Sequence, residues 1–303
     1  MTAAFPGAAF DPGRGNGMSP YVYHDSRIVL AVNVALATRR PLLVTGVPGS
    51  GKSTLAASVA KHLRWAHLSS TVTSRTRLED LVARVDAVQR LADAQARRLD
   101  ERPDAYLVPG VLWWAFDPGS ARAMARAGTD ARTDPERAQD GTVLLIDEID
   151  KAEPDLPNDL LGPLDTATIT VSGREPVTAT RDTLIVITSN RERTMPPAFL
   201  RRCVVLELES PHATVLEQVA VSHLGARDDT LYIDVAERTL YLAELAELAG
   251  RRSPSVAEYL DTVRACIAFV QHPPTRTRPG SDLWEAIEEA ALRKAPPDDQ
   301  RSA

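Results

Sequence analysis

The chain has 303 residues, 44% hydrophobic and 25% charged, an ordinary globular composition with room for one large domain and a smaller one. Its net charge of −6 argues against wholesale coating of nucleic acid, which needs a basic face. No apolar run approaches the roughly 20 residues that span a bilayer, and no basic segment followed by an apolar core opens the chain. A cytoplasmic location is the default expectation, without membrane or nucleic-acid partners. Cys203 and Cys266 stand alone, outside any CxxC or Cys/His cluster, so neither a disulfide framework nor zinc is indicated.

Residues 1–19 are rich in Gly, Pro and Ala without periodicity and read as a flexible tail. Over 26–37 the apolar positions Ile28, Val29, Val32 and Ala35 recur at helical spacing, which predicts a helix. Residues 41–45 form a short apolar run that ends in a glycine-rich turn, the signature of a strand buried on both faces. A helix follows over 53–63, then a strand over 66–72 and helical stretches over 78–99. Residues 117–141 are rich in Ala, Arg, Asp and Gly and read as a variable loop or partly ordered insertion. Further strands are expected over 143–146, 183–188 and 204–208, with a hairpin over 169–177 around Gly173. Beyond Ser210 the strand signal fades, and helices are expected over 214–224, 235–248, 255–270 and 282–293. Strands alternating with helices imply an α/β fold with a doubly wound parallel sheet, followed by a smaller helical domain. The expected division is a tail (1–19), an α/β domain (20–210), a helical domain (211–294) and a frayed end (295–303).

The chemistry concentrates after two of these strands. Gly46-Val47-Pro48-Gly49-Ser50-Gly51-Lys52-Ser53-Thr54 fits G-x-x-x-x-G-K-[ST], placed between a strand and a helix as a phosphate-binding loop requires. The glycines let successive N–H groups point inward at phosphate oxygens, and the helix adds its positive end. Lys52 is expected to reach the β- and γ-phosphates of ATP, and the Ser53 hydroxyl to ligate Mg²⁺. About 95 residues later, Val143-Leu-Leu-Ile-Asp147-Glu148 is an apolar strand ending in two acids. Asp147 would hold the Mg²⁺ and Glu148 would orient and polarise the attacking water. Asp150 continues the acidic run and reads as a cap or a surface acid. One strand between the two motifs, with Glu after the Mg²⁺ aspartate, is the pattern of the additional-strand, catalytic-glutamate division of phosphate-loop proteins. Neither a guanine-reading N-K-x-D nor an L-S-G-G-Q signature is present, which argues against a GTPase and a transporter cassette.

Taken together, the chain resembles the AAA+ ATPases and, among them, the MoxR-like branch, from about residue 21 to 270. The resemblance rests on the order of Arg40-Pro-Leu-Leu-Val-Thr-Gly46 through Lys52, Thr76-Arg-Leu-Glu-Asp80, Val108-Pro-Gly110, Leu145-Ile-Asp147-Glu148-Ile-Asp-Lys-Ala152, Asn158-Asp-Leu-Leu161, Thr188-Ser-Asn190 and Pro197-Ala-Phe-Leu-Arg-Arg202. It implies that Asn190 is the sensor-1 residue that holds the lytic water or γ-phosphate, although an Asn at a strand end is also a common turn former. Arg201 and Arg202 match the arginine-finger position, with Arg202 preferred, against the plain reading of a solvated arginine pair. The family's sensor-2 Ser-Pro-Arg string is here Ser253-Pro254-Ser255; Arg252 or Arg251 could stand in, or could be helix-flanking surface charges. Trp113-Trp114 reads as core or interface packing. The implied activity is hydrolysis of Mg-ATP in a ring, expected to be a hexamer, that remodels or activates a client. MoxR-like proteins often work with von Willebrand factor A-type partners. The alternative is a slow-turnover, ATP-dependent switch or scaffold in a bacterial defence or signalling system.

Overall fold

The computed structural model describes residues 21–102, 104–124, 141–227, 229–269 and 282–293. The expected tails at 1–19 and 295–303 and most of the expected insertion, 125–140, lie outside them. The chain divides into two compact units, which in the described residues are 25–46 with 52–208, and 21–24 with 47–51 and 209–293.

In the first unit, α1 (Ser26–Thr38) starts where the Asp25 side chain accepts the Arg27 N–H, the usual way to satisfy a free donor in a first turn. It is followed by β1 (Leu42–Gly46), α2 (Lys52–Leu63), β2 (Ala66–Thr71), α3 (Leu78–Val82), β3 (Ala83–Val85), α4 (Ala87–Gln95), β4 (Leu107–Pro109), α5 (Val111–Phe116) and α6 (Pro118–Met124). Then come β5 (Gly141–Asp147), a single 3₁₀ turn (Ile149–Lys151), α7 (Asp155–Asp159), α8 (Leu161–Thr166), β6 (Thr168–Ile169), β7 (Val177–Thr178), β8 (Asp182–Ser189), α9 (Pro197–Leu200) and β9 (Val204–Leu208).

Five strands form one parallel sheet in the order β2-β5-β8-β1-β9. The three central strands are buried along nearly their whole length, because a parallel sheet is covered on both faces; this is why they stand out as continuous apolar runs. The edge strands β2 and β9 alternate buried and exposed positions instead. Leu43, Leu144, Ile146 and Ile187 of the sheet join Trp113, Phe116 and Phe199 in one core. Trp113 is fully buried, its indole N–H donates to Ser120 Oγ at 2.8 Å, and the Arg174 guanidinium lies over its ring. The tandem tryptophans therefore serve packing, with Trp114 partly buried beside the same core.

Two expectations are corrected. The stretch 78–99 is not simply helical: β3 interrupts it and pairs antiparallel with β4. The start of the expected 117–141 insertion is helical, since Pro118 opens α6, where a residue without an N–H costs nothing. The β6–β7 pair forms the hairpin expected around Gly173. Cys203 and Cys266 are free and buried, and burial pushes the Cys203 thiol up to about 12, out of reach of thiolate chemistry near neutral pH.

The second unit is helical: α10 (Ala213–Leu224), α11 (Leu231–Leu248), α12 (Val256–Phe269) and α13 (Asp282–Glu288), the last running into a π-helical turn over Glu289–Arg293. Its core is Leu216, Tyr232, Val235, Tyr259, Val263 and Trp284. A buried Glu288 accepts from Arg238 at 2.7 and 2.8 Å, from Arg293 at 2.8 Å and from the Trp284 indole at 3.1 Å, which joins α11 to α13. Among the described residues no helix is long and apolar enough to cross a membrane.

Gly110, between β4 and α5, touches backbone. A Cβ there would sit 2.3 Å from the Leu81 carbonyl oxygen and 2.8 Å from that of Asp80. Its φ of −84° suits any residue, so the demand for glycine is one of space alone. Gly110→Ala should destabilise the fold by about 2 kcal/mol or more, because no flexible side chain can give way. In thermal unfolding this should be a fall in Tm of roughly 4–8 °C; an unchanged Tm would show that the backbone shifts freely.

Candidate active site

The loop between β1 and α2 owes its shape to glycines. Gly49 (φ +79°) and Gly51 (φ +89°) sit in the left-handed region, where a side chain is strained. Gly49 is also close to the start of α12: a Cβ on it would fall 2.2 Å from Ser255 Cβ. Ser50 N–H donates to Val47 O at 3.3 Å, while Ser50 Oγ is buried without a protein partner among the described residues. An orphaned hydroxyl inside a glycine-shaped loop suits a ligand that brings its own hydrogen-bonding oxygens. Lys52, the first residue of α2, is buried, and its ammonium folds back to Gly46 O at 2.9 Å. Burial pushes the Lys52 pKa down, while Asp147, Asp150 and Glu148 pull it up.

Those acids sit at the end of β5. Asp147 Oδ1 accepts from Ser53 Oγ at 2.8 Å and from Thr188 Oγ1 at 2.5 Å. Thr188, fully buried in β8, accepts the Glu148 N–H at 2.9 Å through the same hydroxyl. One threonine thus holds the side chain of Asp147 and the backbone of Glu148, a role that its place in an apolar run, Leu184-Ile-Val-Ile-Thr188, only hints at. A serine hydroxyl and a carboxylate within hydrogen-bonding distance are hard oxygen donors of the kind Mg²⁺ accepts, so the residues present fit that ion. Glu148 has φ +61°, and its carboxylate meets the Lys151 ammonium at 2.7 Å. With the two side chains 30% and 42% exposed, that pair is worth at most about 1 kcal/mol and leaves Glu148 free to exchange partners.

Asp150 corrects the reading of a surface acid. It is 1% exposed, and its Oδ2 accepts the backbone N–H groups of Asn190 and Glu192, both at 2.9 Å. Asn190 therefore stands directly after β8, tied through its backbone to the turn that carries Glu148. Arg191 follows with φ +63°; it donates to Thr45 Oγ1 at 3.0 Å and pairs with Glu207 at 2.7 Å, across the ends of β1 and β9. Sequence reasoning gave Arg191 no role.

The structure draws Gly46, Lys52, Ser53, Asp147, Glu148 and Asn190 to the ends of adjacent parallel strands, the crevice where open α/β sheets bind ligands. Among the described residues, no hydrogen bond or ion pair joins Arg201 or Arg202 to that group. Arg202, after α9, pairs with Asp165 of α8 at 2.5 Å, and Arg201 is exposed and lends its carbonyl to Arg40 at 2.8 Å. Arg252 belongs to the helical unit, where it is largely exposed and lies 3.4 Å from the buried Glu258.

Among solved structures, two point mutants of RuvB from Thermotoga maritima are similar to this chain. One is 16% identical with a TM-score of 0.47 and a match over 87% of this chain and 68% of its own. The other is 15% identical with a TM-score of 0.47 and a match over 87% and 67%. A search of curated proteins finds no match. The family model for the AAA domain (dynein-related subfamily) matches residues 41–203, from the residue before β1 to the residue before β9, which is more than half of the chain. With its glycine loop, its two acids and Asn190 all inside that span, the chain belongs to the AAA domain family, dynein-related subfamily, a family of ATPases.

Proposed function

We propose that this chain is an AAA+ ATPase of MoxR-like type that hydrolyses Mg-ATP in an oligomeric ring, a hexamer, to remodel or activate a partner protein. In this reading residues 20–210 are the ATPase domain and 211–294 its helical lid. The observation that carries hydrolysis is the linked set Ser53, Asp147, Thr188 and Glu148, joined by hydrogen bonds of 2.5–2.9 Å one residue from Lys52. The N–H groups of 46–54, Pro48 excepted, and the Lys52 ammonium hold the phosphates. Ser53 and Asp147 would hold Mg²⁺, which would draw charge from the phosphate oxygens. Glu148 orients a water, which attacks the γ-phosphorus in line and passes its proton to the Glu148 carboxylate, while the β–γ bridging oxygen leaves with the bonding electrons. The Asn190 amide steadies the water or the γ-phosphate, and Arg202, with Arg201 beside it, reaches a neighbour's γ-phosphate. The order of motifs supports the MoxR-like assignment and, with it, a von Willebrand factor A-type client. The exposure of Arg201 and the part exposure of Arg202 at the end of α9 support a site shared between subunits.

A second reading, a slow switch or scaffold in a bacterial defence or signalling system, is favoured by one contact: the Glu148 carboxylate is engaged by the Lys151 ammonium at 2.7 Å. Turnover measured alongside oligomeric state, with and without ATP, separates the two. A fast, assembly-dependent ATPase supports the remodeller; slow turnover with ATP-gated assembly supports the switch.

Two variants test the site itself. Glu148→Gln should bind Mg-ATP normally yet hydrolyse it at least about a hundredfold more slowly; unchanged turnover removes Glu148 from its role. Lys52→Ala should raise the dissociation constant for ATP about tenfold or more, since a charged hydrogen bond to phosphate is lost; a normal constant sinks the assignment of the loop.

A further inference from the structure

Strands β5 and β8 run in register as far as Ile146 opposite Ile187. The residues just beyond carry the chemistry on both: Asp147 and Glu148 on one, Asn190 on the other. Two side chains bridge the gap. Thr188 bonds Asp147 and the Glu148 N–H. Two residues further out, Asp150 takes the N–H groups of Asn190 and Glu192 on a single oxygen, Oδ2.

We propose that Asp150 is a positioning residue that locks the turn carrying Asn190 to the turn carrying Glu148, and so sets the alignment of one against the other. The inference rests on the reading that Glu148 and Asn190 serve ATP hydrolysis. Three observations carry it. Asp150 is 1% exposed, so both bonds are shielded from water and their loss would not be made good by solvent. Both donors are backbone groups, one at Asn190 and one two residues beyond it, so the whole turn is held rather than a single side chain. The other oxygen, Oδ1, is buried with no protein partner among the described residues, so one acceptor performs the task. The clasp must therefore work with any residue of the same shape that keeps one oxygen at Oδ2, whether or not it carries a charge.

That requirement makes the test specific. Steady-state ATPase kinetics on the full chain, with Mg-ATP as substrate, should show Asp150→Ala lowering kcat between about tenfold and a hundredfold with KM within about twofold, as expected when catalytic groups lose alignment but not binding. Asp150→Asn, which keeps the acceptor oxygen, should hold kcat within about threefold of the native chain, because no charge is needed. An alanine variant with native kcat, or an asparagine variant as impaired as the alanine one, overturns the proposal. Should Asp150→Ala not fold, Asp150→Asn alone decides, since native-like turnover is required of it. Hydrogen exchange at the amides of 190 and 192 gives a readout independent of turnover: faster exchange in Asp150→Ala and native exchange in Asp150→Asn support the clasp, and unchanged exchange in Asp150→Ala overturns it. If that exchange pattern appears while the native chain fails to hydrolyse ATP, the functional reading falls and the clasp stands.

Discussion

The parallel ladder of β5, β8 and β1 is the constraint on which everything else rests. Its register sets Ile146, Ile187 and Leu43 level with one another across the sheet. One residue further along, Asp147, Thr188 and Val44 emerge together, and beyond them come Glu148, Asn190 and the glycine loop. Side chains on a strand alternate faces, so a slip of one residue would turn Thr188 away from Asp147 and expose part of the core. The apolar runs that hold the sheet closed are thus the same segments that set the reactive groups at their ends. Packing and chemistry are one arrangement here, read at two heights along the strands.

The polar rim above that apolar floor is costly to bury and is arranged to offset the cost. Lys52 loses hydration, and Asp147, Asp150 and Glu148 oppose the loss. Thr188 has no exposed surface, and its hydroxyl both gives and receives a hydrogen bond. Asp150 uses one oxygen twice. Such a network is stronger in a dry setting than in water, and it resists rearrangement for the same reason. The arginines Arg201, Arg202 and Arg252 follow another pattern. Each is at least partly exposed, and their ion pairs are of the kind that breaks at little cost.

The features legible in the sequence were those with local signatures. The three buried strands are unbroken apolar runs, and the glycine loop after β1 declares itself by its spacing, which is why the parallel sheet and the family could be read from residues alone. The β3–β4 pair was hidden because three residues of strand leave no usable period, and 83–85 lie within a stretch whose spacing also suits a helix. Pro118-Gly119 looked like a loop although proline is at home in a first helical turn. Asp150 looked like surface because it sits among acids, and its partners lie 40 and 42 positions away, a pairing that no local pattern encodes. Separation in sequence likewise concealed Thr188 as the bridge between the acids, Arg191 as the link across β1 and β9, and Asp165 as the partner of Arg202.

Glu148 leaves β5 with a left-handed backbone, and Arg191 does the same just after β8. For a residue with a side chain this conformation costs on the order of 1–2 kcal/mol. Two neighbouring strands therefore turn their polar ends by the same means, against local preference and without glycine. Glycine at 148 would relax the backbone and remove the carboxylate together, giving a more stable chain with a blank site. Under the role proposed for Glu148, the small, permanent loss of stability at this corner follows from chemistry that the residue best suited to the turn could not perform.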